Sequence, residues 1–241
     1  MAFTQRVTTK SVLPKLTATS MRPKLTLFDL DNTLLSGDSD VLWCNFLIQR
    51  RVLDSDSFSA RNAEMDARYR DGTVSAQAFS EFYVSTLAGR TPDDWESLRE
   101  DFLSSEIIPR VPFVAQALVR HHLKEGDLVV MTTATNRFIT ELTARHLNIE
   151  NLIATEPELI DGKFTGRTQG TLNMRQGKVT RLNAWLDARG ATLTDYVSTA
   201  YSDSINDLPL LQAVNTPVVV DPDYQLSAWA GEHGHLSLSL R

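Results

Sequence analysis

The sequence predicts an α/β fold with a helical bundle inserted after its first strand, and three observations predict it. The run Leu25-Thr26-Leu27-Phe28 is short, apolar and bounded by Pro23, and it ends in two carboxylates, Asp29 and Asp31. Residues 36–108 then carry helical spacing almost without interruption. From Pro112 onward, short apolar runs and amphipathic stretches alternate, as they do in a sheet covered by helices.

Length and composition agree with this. A chain of 241 residues, with 42% hydrophobic and 22% charged residues, buries a sizeable core and accommodates one α/β domain with a smaller insertion. The net charge of -6 argues against broad attraction to nucleic acid or to an anionic membrane. The single cysteine, Cys44, excludes an internal disulfide and a multi-cysteine zinc site, and its apolar neighbours Trp43 and Phe46 mark it as core filler. The adjacent His121 and His122 read as helix surface. No apolar run reaches the length of a membrane span. Residues 1–23 include Arg6, Lys10, Lys15 and Arg22 but no acid, which reads as a flexible tail more than as a transit leader, with Met21 a second candidate start. The expected location is the cytoplasm.

In chain order, the first strand places Asp29 and Asp31 at its C-terminal end, where open α/β sheets bind ligands. Two anions so close need a shared proton, a divalent cation or a basic neighbour. Ser36 to Asp40 reads as a turn. Helical pairs follow at Leu42 with Phe46, Met65 with Tyr69, and Phe79 with Tyr83, then at Trp95, Leu98 and Phe102. Gly72 and Gly89 separate these helices, and Thr91-Pro92-Asp93-Asp94 has the chemistry of a helix start. The aromatic residues of this stretch read as its own core.

A helix from about Pro112 to Gly126 leads to a strand over Asp127–Met131. The polar run Thr132 to Thr135 after it offers hydroxyls and backbone N–H groups to an anion as a helix opens near Asn136. A strand at Leu152–Thr155 precedes a hairpin whose turn is Asp161-Gly162. Lys178 stands near the start of the next helix, where a cation is unfavourable unless it has an anionic partner. A strand over Tyr196–Tyr201 ends in Ser202, Asp203 and Asp207, and a last strand at Pro217–Val220 precedes a short helix near Leu226.

Asp29 with Asp31, Thr133, Lys178, and Asp203 with Asp207 thus occur in order at strand ends or helix starts. In order and character they resemble the four motifs of the haloacid dehalogenase superfamily. The insertion directly after the first motif, the hairpin Asp161-Gly162-Lys163-Phe164-Thr165-Gly166, the Gly177-Lys178 helix start and the run Ser202 to Leu211 resemble its phosphoserine-phosphatase-like branch, subfamily IB. The resemblance covers about residues 24 to 230. One departure is Ser202, where many relatives have glycine.

The resemblance implies a Rossmann-like core of residues 24–35 and 109–241, with a parallel sheet and helices on both faces, and a helical cap of residues 36–108. It implies that Asp29 is a phosphoryl-accepting nucleophile and Asp31 the general acid and base. Lys178 and a hydroxyl of the second motif would bind phosphate. That hydroxyl is Thr132 or Thr133, and alignment through Ala144-Arg145-His146-Leu147 favours Thr133. Mg²⁺ would be held by Asp29, Asp203 and the backbone carbonyl of Asp31. Asp207 would hold a metal water or orient Lys178.

Asp38 stands where phosphoserine phosphatases carry an acid that receives the substrate's amino group, though it suits a helix N-cap equally well. Arg61, Arg68 and Arg70 are weaker candidates for a substrate carboxylate. The expected partner is a small phosphorylated metabolite, phosphoserine-like or histidinol-phosphate-like, with no nucleic acid and no membrane. A phosphotransferase or mutase, or a catalytically silent binding protein on the same fold, are the alternatives. A two-component receiver shares the residue types, but as a single domain it has no place for the cap.

Overall fold

The computed structural model describes residues 22–241, so the tail expected over residues 1–23, Met21 included, lies almost wholly outside the described residues. Among the described residues seven strands form one sheet: β1 (Lys24–Phe28), β2 (Leu128–Asn136), β3 (Asn151–Ile160), β4 (Lys163–Gln169), β5 (Val197–Ser202), β6 (Thr216–Val220) and β7 (Leu236–Leu238). Their order is β4-β3-β2-β1-β5-β6-β7, and every pairing is parallel except the β3–β4 hairpin. β1 lies at the centre, so the C-terminal ends of β1, β2 and β5 open side by side.

Alternation along β1 explains the layers. Leu25 and Leu27 point to one face, into a cluster with Val130, Ala200 and Val219 under α7 (Gln176–Asp187), α8 (Leu208–Ala213) and α9 (Tyr224–His233). Phe28 points to the other, with Met131, Tyr201 and side chains of α5 (Phe113–Lys124) and α6 (Arg137–His146). Helices therefore cover both faces, as expected for a central strand read as continuously apolar.

The insertion forms α1 (Ser39–Gln49), α2 (Ser55–Arg70), α3 (Ala76–Val84) and α4 (Pro92–Phe102). Thr91 and Asp94 make a reciprocal capping box on α4, as the sequence predicts. The aromatic residues, however, divide. Phe79, Phe82 and Tyr83 pack with Cys44, Val74 and Met174, whereas Trp43, Phe46, Trp95 and Phe102 join the cluster that reaches the sheet. One face of α1 thus belongs to the main core. The β3–β4 hairpin braces the insertion through backbone bonds from Gly89 N to Phe164 O (2.8 Å) and from Phe164 N to Arg90 O (2.9 Å). Its turn needs positive φ at both Asp161 (50°) and Gly162 (74°), the conformation of a tight hairpin.

Three expectations are corrected. The strand expected over Asp127–Met131 does not stop there; Thr132 to Thr135 extend β2 to Asn136, paired with β3 as β-branched residues favour, and the Asn136 side chain caps α6 where the helix start was expected. β7 is an added edge strand that its three residues do not announce. His122 is not surface: its ring lies between Asp127 Oδ2 (2.7 Å) and the Tyr201 hydroxyl (2.9 Å), at the edge of Phe28. No single helix among the described residues is long and apolar enough to cross a membrane.

Candidate active site

β1 and β5 are paired in register, and Asp29 N donates to Tyr201 O (3.0 Å), so Asp29 and Asp203 leave the sheet side by side. Asn32, in the left-handed region at φ 57°, turns the chain back. That turn brings Thr33 Oγ1 to 3.1 Å from both Asp29 Oδ2 and Asp203 Oδ1. Lys178 reaches the same point from the first turn of α7, with Nζ 2.7 Å from Asp29 Oδ1 and also on Asp207 Oδ2. Its helix can start there because residue 177 is glycine: a Cβ would lie 2.0 Å from the Leu172 carbonyl oxygen. The anionic partner that a lysine in a first helical turn requires is thus a pair of carboxylates.

Burial sets the charges. It pushes the Asp29 carboxyl up to about 7 against the pull of Lys178, with Asp207 and Asp31 adding to the rise. Asp203 is raised well above the carboxylate range by burial, then by Asp29 and Asp207. Burial alone would depress the Lys178 ammonium, but Asp207 and Asp29 more than offset it and hold it above the usual lysine range. Ser202, the departure from glycine, donates to Asp207 Oδ2 (2.8 Å). Asp207 is therefore seated on Lys178 from one side and on Ser202 from the other.

Asp31 accepts from Ser39 N on Oδ1 (2.7 Å) and from Thr133 (3.2 Å) and Thr135 (2.9 Å) on Oδ2. Thr133 is 0% exposed and stands behind the cavity wall on Asp31, while Thr135 lines the cavity. Thr132 accepts from Asn173 Nδ2 (2.9 Å) on the opposite side of the strand. Alternation along the continued strand sends Thr133 and Thr135 to the Asp31 side and Thr132 to the other. Thr135 also reaches Asp40 (3.2 Å), a buried acid raised well above the carboxylate range by burial and then by Asp38 and Asp31.

Asp38 is the N-cap of α1, accepting from Asp40 N (2.9 Å) and Val41 N (3.0 Å), and it also lines the cavity. Burial and then Asp31 push it up to about 8. Asp66, Tyr69 and Phe79 complete the insertion's share of the wall. The sequence showed Tyr69 and Phe79 only as helix periodicity, and Asp66 had no signal because its proximity is made by the turn between helices. Arg61 and Arg68 turn elsewhere, Arg61 onto the Phe82 ring (5.2 Å) and Arg68 onto Glu64 (3.6 Å). The Arg70 side chain lies outside the described residues.

The resulting cavity has a volume of about 290 Å³. Eight aspartates line it, against Lys178 and Arg241 as the cations among the described residues. No group of three or more acids or histidines with metal-binding geometry forms among the described residues. What forms is the pair Asp29 and Asp203 around Thr33. An all-oxygen pair with too little positive charge near it fits Mg²⁺, which commonly takes one or two carboxylates and keeps its waters.

Comparisons with known proteins point the same way. The family model for haloacid dehalogenase-like hydrolases matches residues 26–212. The chain is 39% identical over 212 residues to a histidinol-phosphatase of Neisseria meningitidis serogroup C (strain 8013), covering 87% of this chain and 96% of that protein. It is 30% identical over 210 residues to the phosphoserine phosphatase SerB1 of Mycobacterium tuberculosis (strain ATCC 25618 / H37Rv), covering 86% and 68%. A crystal structure of a protein of unknown function from Bordetella pertussis Tohama I superposes with a TM-score of 0.87 at 40% identity, over 92% of this chain and 100% of that one. A substrate-bound phosphoserine phosphatase complex shares the fold, with a TM-score of 0.66 at 16% identity over 91% and 93%. With its four motifs gathered at the ends of β1, β2 and β5 and the start of α7, the chain belongs to the haloacid dehalogenase-like hydrolase family.

Proposed function

We propose that the protein is a Mg²⁺-dependent phosphomonoesterase acting on a small amine-bearing phosphorylated metabolite through an aspartyl-phosphate at Asp29. The observation that carries this reading is the seating of Lys178 on Asp29 and Asp207, in a cavity that Asp203 shares. In the first step an Asp29 oxygen forms a bond to phosphorus as the ester P–O bond breaks. Asp31 gives its proton to the leaving alkoxide, and in the second step takes one from the water that cleaves the aspartyl-phosphate and frees phosphate. Lys178 holds positive charge beside the phosphoryl oxygens throughout, already in place before charge develops. Thr133 and Thr135 fix the Asp31 carboxylate, and Thr135 offers the cavity the hydroxyl expected of the second motif. Asp29, Asp203 and the Asp31 carbonyl would hold Mg²⁺, whose charge would let Asp29 react as a carboxylate beside a phosphate dianion.

In this reading residues 36–108 are the cap, closing over the core of residues 24–35 and 109–241 and contributing Asp38 as acceptor of the substrate's ammonium. The relatives named for histidinol phosphate and for phosphoserine both take phosphate esters with a free amine. The test is phosphate release from a panel of phosphomonoesters, with Mg²⁺ or with chelator, and with Asp29→Asn as control. Metal-dependent release that disappears in the variant is expected. A phosphorylated Asp29 that passes its group to an added alcohol but not to water would instead establish a phosphotransferase.

A further inference from the structure

Asp40 takes part in no step of the reaction above, yet its surroundings decide where its proton goes. It stands in the first turn of α1, 2% exposed, with Oδ2 3.2 Å from Thr135 Oγ1 at the end of β2. Thr135 Oγ1 has two more partners, Ser39 Oγ at 3.1 Å and Asp31 Oδ2 at 2.9 Å. A threonine hydroxyl donates one proton and accepts two, so of the two carboxyl groups beside it one receives that proton and the other supplies its own. Asp31 is the receiver: it faces the cavity, and Ser39 N (2.7 Å) and Thr133 Oγ1 (3.2 Å) also donate to it. Asp40 has no such support. Its Oδ1 is buried without a partner, and among the described residues no Lys, Arg or His pairs with it. The groups around it are Asp38 and Cys44 on its own helix, Asp31 after β1 and Tyr83 on α3, none of them a cation. A buried carboxylate in that setting has nothing to offset the loss of water.

We propose that Asp40 is a positioning residue that works as a neutral carboxylic acid, donating its proton to Thr135 Oγ1 and so keeping the Thr135 proton turned toward Asp31 and the cavity. The inference deepens the phosphomonoesterase reading and rests on it for the effect on rate. Burial, with Asp38 and Asp31 nearby, favours this form and raises the Asp40 carboxyl well above its ordinary range. An ionised Asp40 would take the Thr135 proton for itself, leaving Asp31 one donor short and a bare oxygen toward the cavity. With the proton on Asp40, every site on the hydroxyl is filled: Ser39 and Asp40 donate to its oxygen, and its own proton goes to Asp31. When phosphate enters, that proton can turn from Asp31 to a phosphoryl oxygen, because both lone pairs behind it are held. The same contacts tie the first turn of α1 to the end of β2, so the insertion itself sets the hydroxyl of the second motif.

Carbon-13 NMR of the protein labelled in its aspartate carboxyl groups, with Mg²⁺ present at neutral pH, tests the position of the proton. The Asp40 signal is identified by its loss in Asp40→Asn and, independently, by its displacement in Thr135→Val. A signal at the neutral-acid position is expected; one at the carboxylate position overturns the proposal. Phosphate release tests the consequence. Asp40→Asn keeps a neutral donor and Asp40→Leu fills the space without one, so kcat of the first is expected to exceed that of the second by about tenfold, the effect of one hydrogen bond. Asp40→Ala serves as a second donor-free variant. In the Thr135→Val background the same pair is expected to agree within about twofold, since Asp40 acts through that hydroxyl. Equal rates for Asp40→Asn and the donor-free variants, or a difference that survives Thr135→Val, overturns the positioning role. No turnover by the wild-type protein, with the neutral-acid signal in place, keeps Asp40 as the donor and sinks the phosphomonoesterase reading instead.

Discussion

Lys178 makes the site at the scale of single residues, because it lets two carboxylates remain buried against each other. Removing one member of such a group is costly, since what is left is an uncompensated buried charge. Asp29, already raised to about 7, can relieve that cost by taking up a proton, which would also disarm it in its proposed role as nucleophile. Lys178→Met is therefore expected to lower kcat by about 10³-fold, the loss typical of a preorganised charge at a reacting anion, with only a modest drop in melting temperature. A large thermal destabilisation with activity intact would contradict this. Ser202 acts more weakly. Its hydroxyl is one of two donors on Asp207 Oδ2, so Ser202→Gly is expected to lower kcat by about threefold to tenfold at nearly constant KM, in line with one hydrogen bond to a charged group. Steady-state kinetics on the two proteins decides it. Asp29, Asp31, Lys178 and Asp203 were legible in the sequence because each stands at the end of a local element. Thr135 and Asp66 were not, because their places depend on a strand that runs on and on a turn between helices.

At the scale of elements, the site depends on where strands stop and helices start. The start of α7 is fixed by a steric fact: a methyl group at Gly177 would overlap the Leu172 carbonyl oxygen, which is backbone and does not yield as the tip of a side chain does. Gly177→Ala is expected to destabilise the protein by about 1–3 kcal/mol, as overpacking does, and to lower activity further by moving Lys178 away from Asp29. Denaturant unfolding measures the first effect and phosphate release the second; an unchanged stability would mean that the helix start has slack. The helices were read well because capping chemistry is local, as at Thr91 and Asp94. The length of β2 was not, since threonine hydroxyls suit a helix start and a strand end equally until the pairing with β3 is known. The parting of the aromatic residues was equally hidden: periodicity places Trp43 and Phe79 on buried faces and leaves open which core receives them.

Over the whole molecule, the gathering of acids in one cavity has a thermodynamic consequence that the metal-free protein must show. Asp38 has its pKa raised to about 8 by burial and by Asp31, and Asp40 is raised well above its ordinary value by burial, then by Asp38 and Asp31. A carboxyl with a folded pKa above its unfolded one binds its proton more tightly in the folded state. Its stabilising contribution is complete below the unfolded pKa of about 4 and is lost as pH rises through the folded value. The carboxylates shifted the other way, Asp54, Asp71, Asp94 and Asp195, are held low by hydrogen bonds from Ser57, Thr73, Thr91 and Thr192 and lose their contribution only in acid. Between about pH 5 and pH 8 the raised group therefore governs the slope, and the metal-free protein is expected to melt several degrees lower at pH 8 than at pH 5.5. Asp38→Asn removes one titrating carboxyl and should flatten that slope. Mg²⁺ should raise the melting temperature more at pH 8 than at pH 5.5, because the carboxylates it competes for are then free of protons. Melting curves with and without Mg²⁺ at the two pH values test this directly. A metal-free protein that gains stability toward pH 8 would mean that Asp38 and Asp40 are not raised as their burial implies.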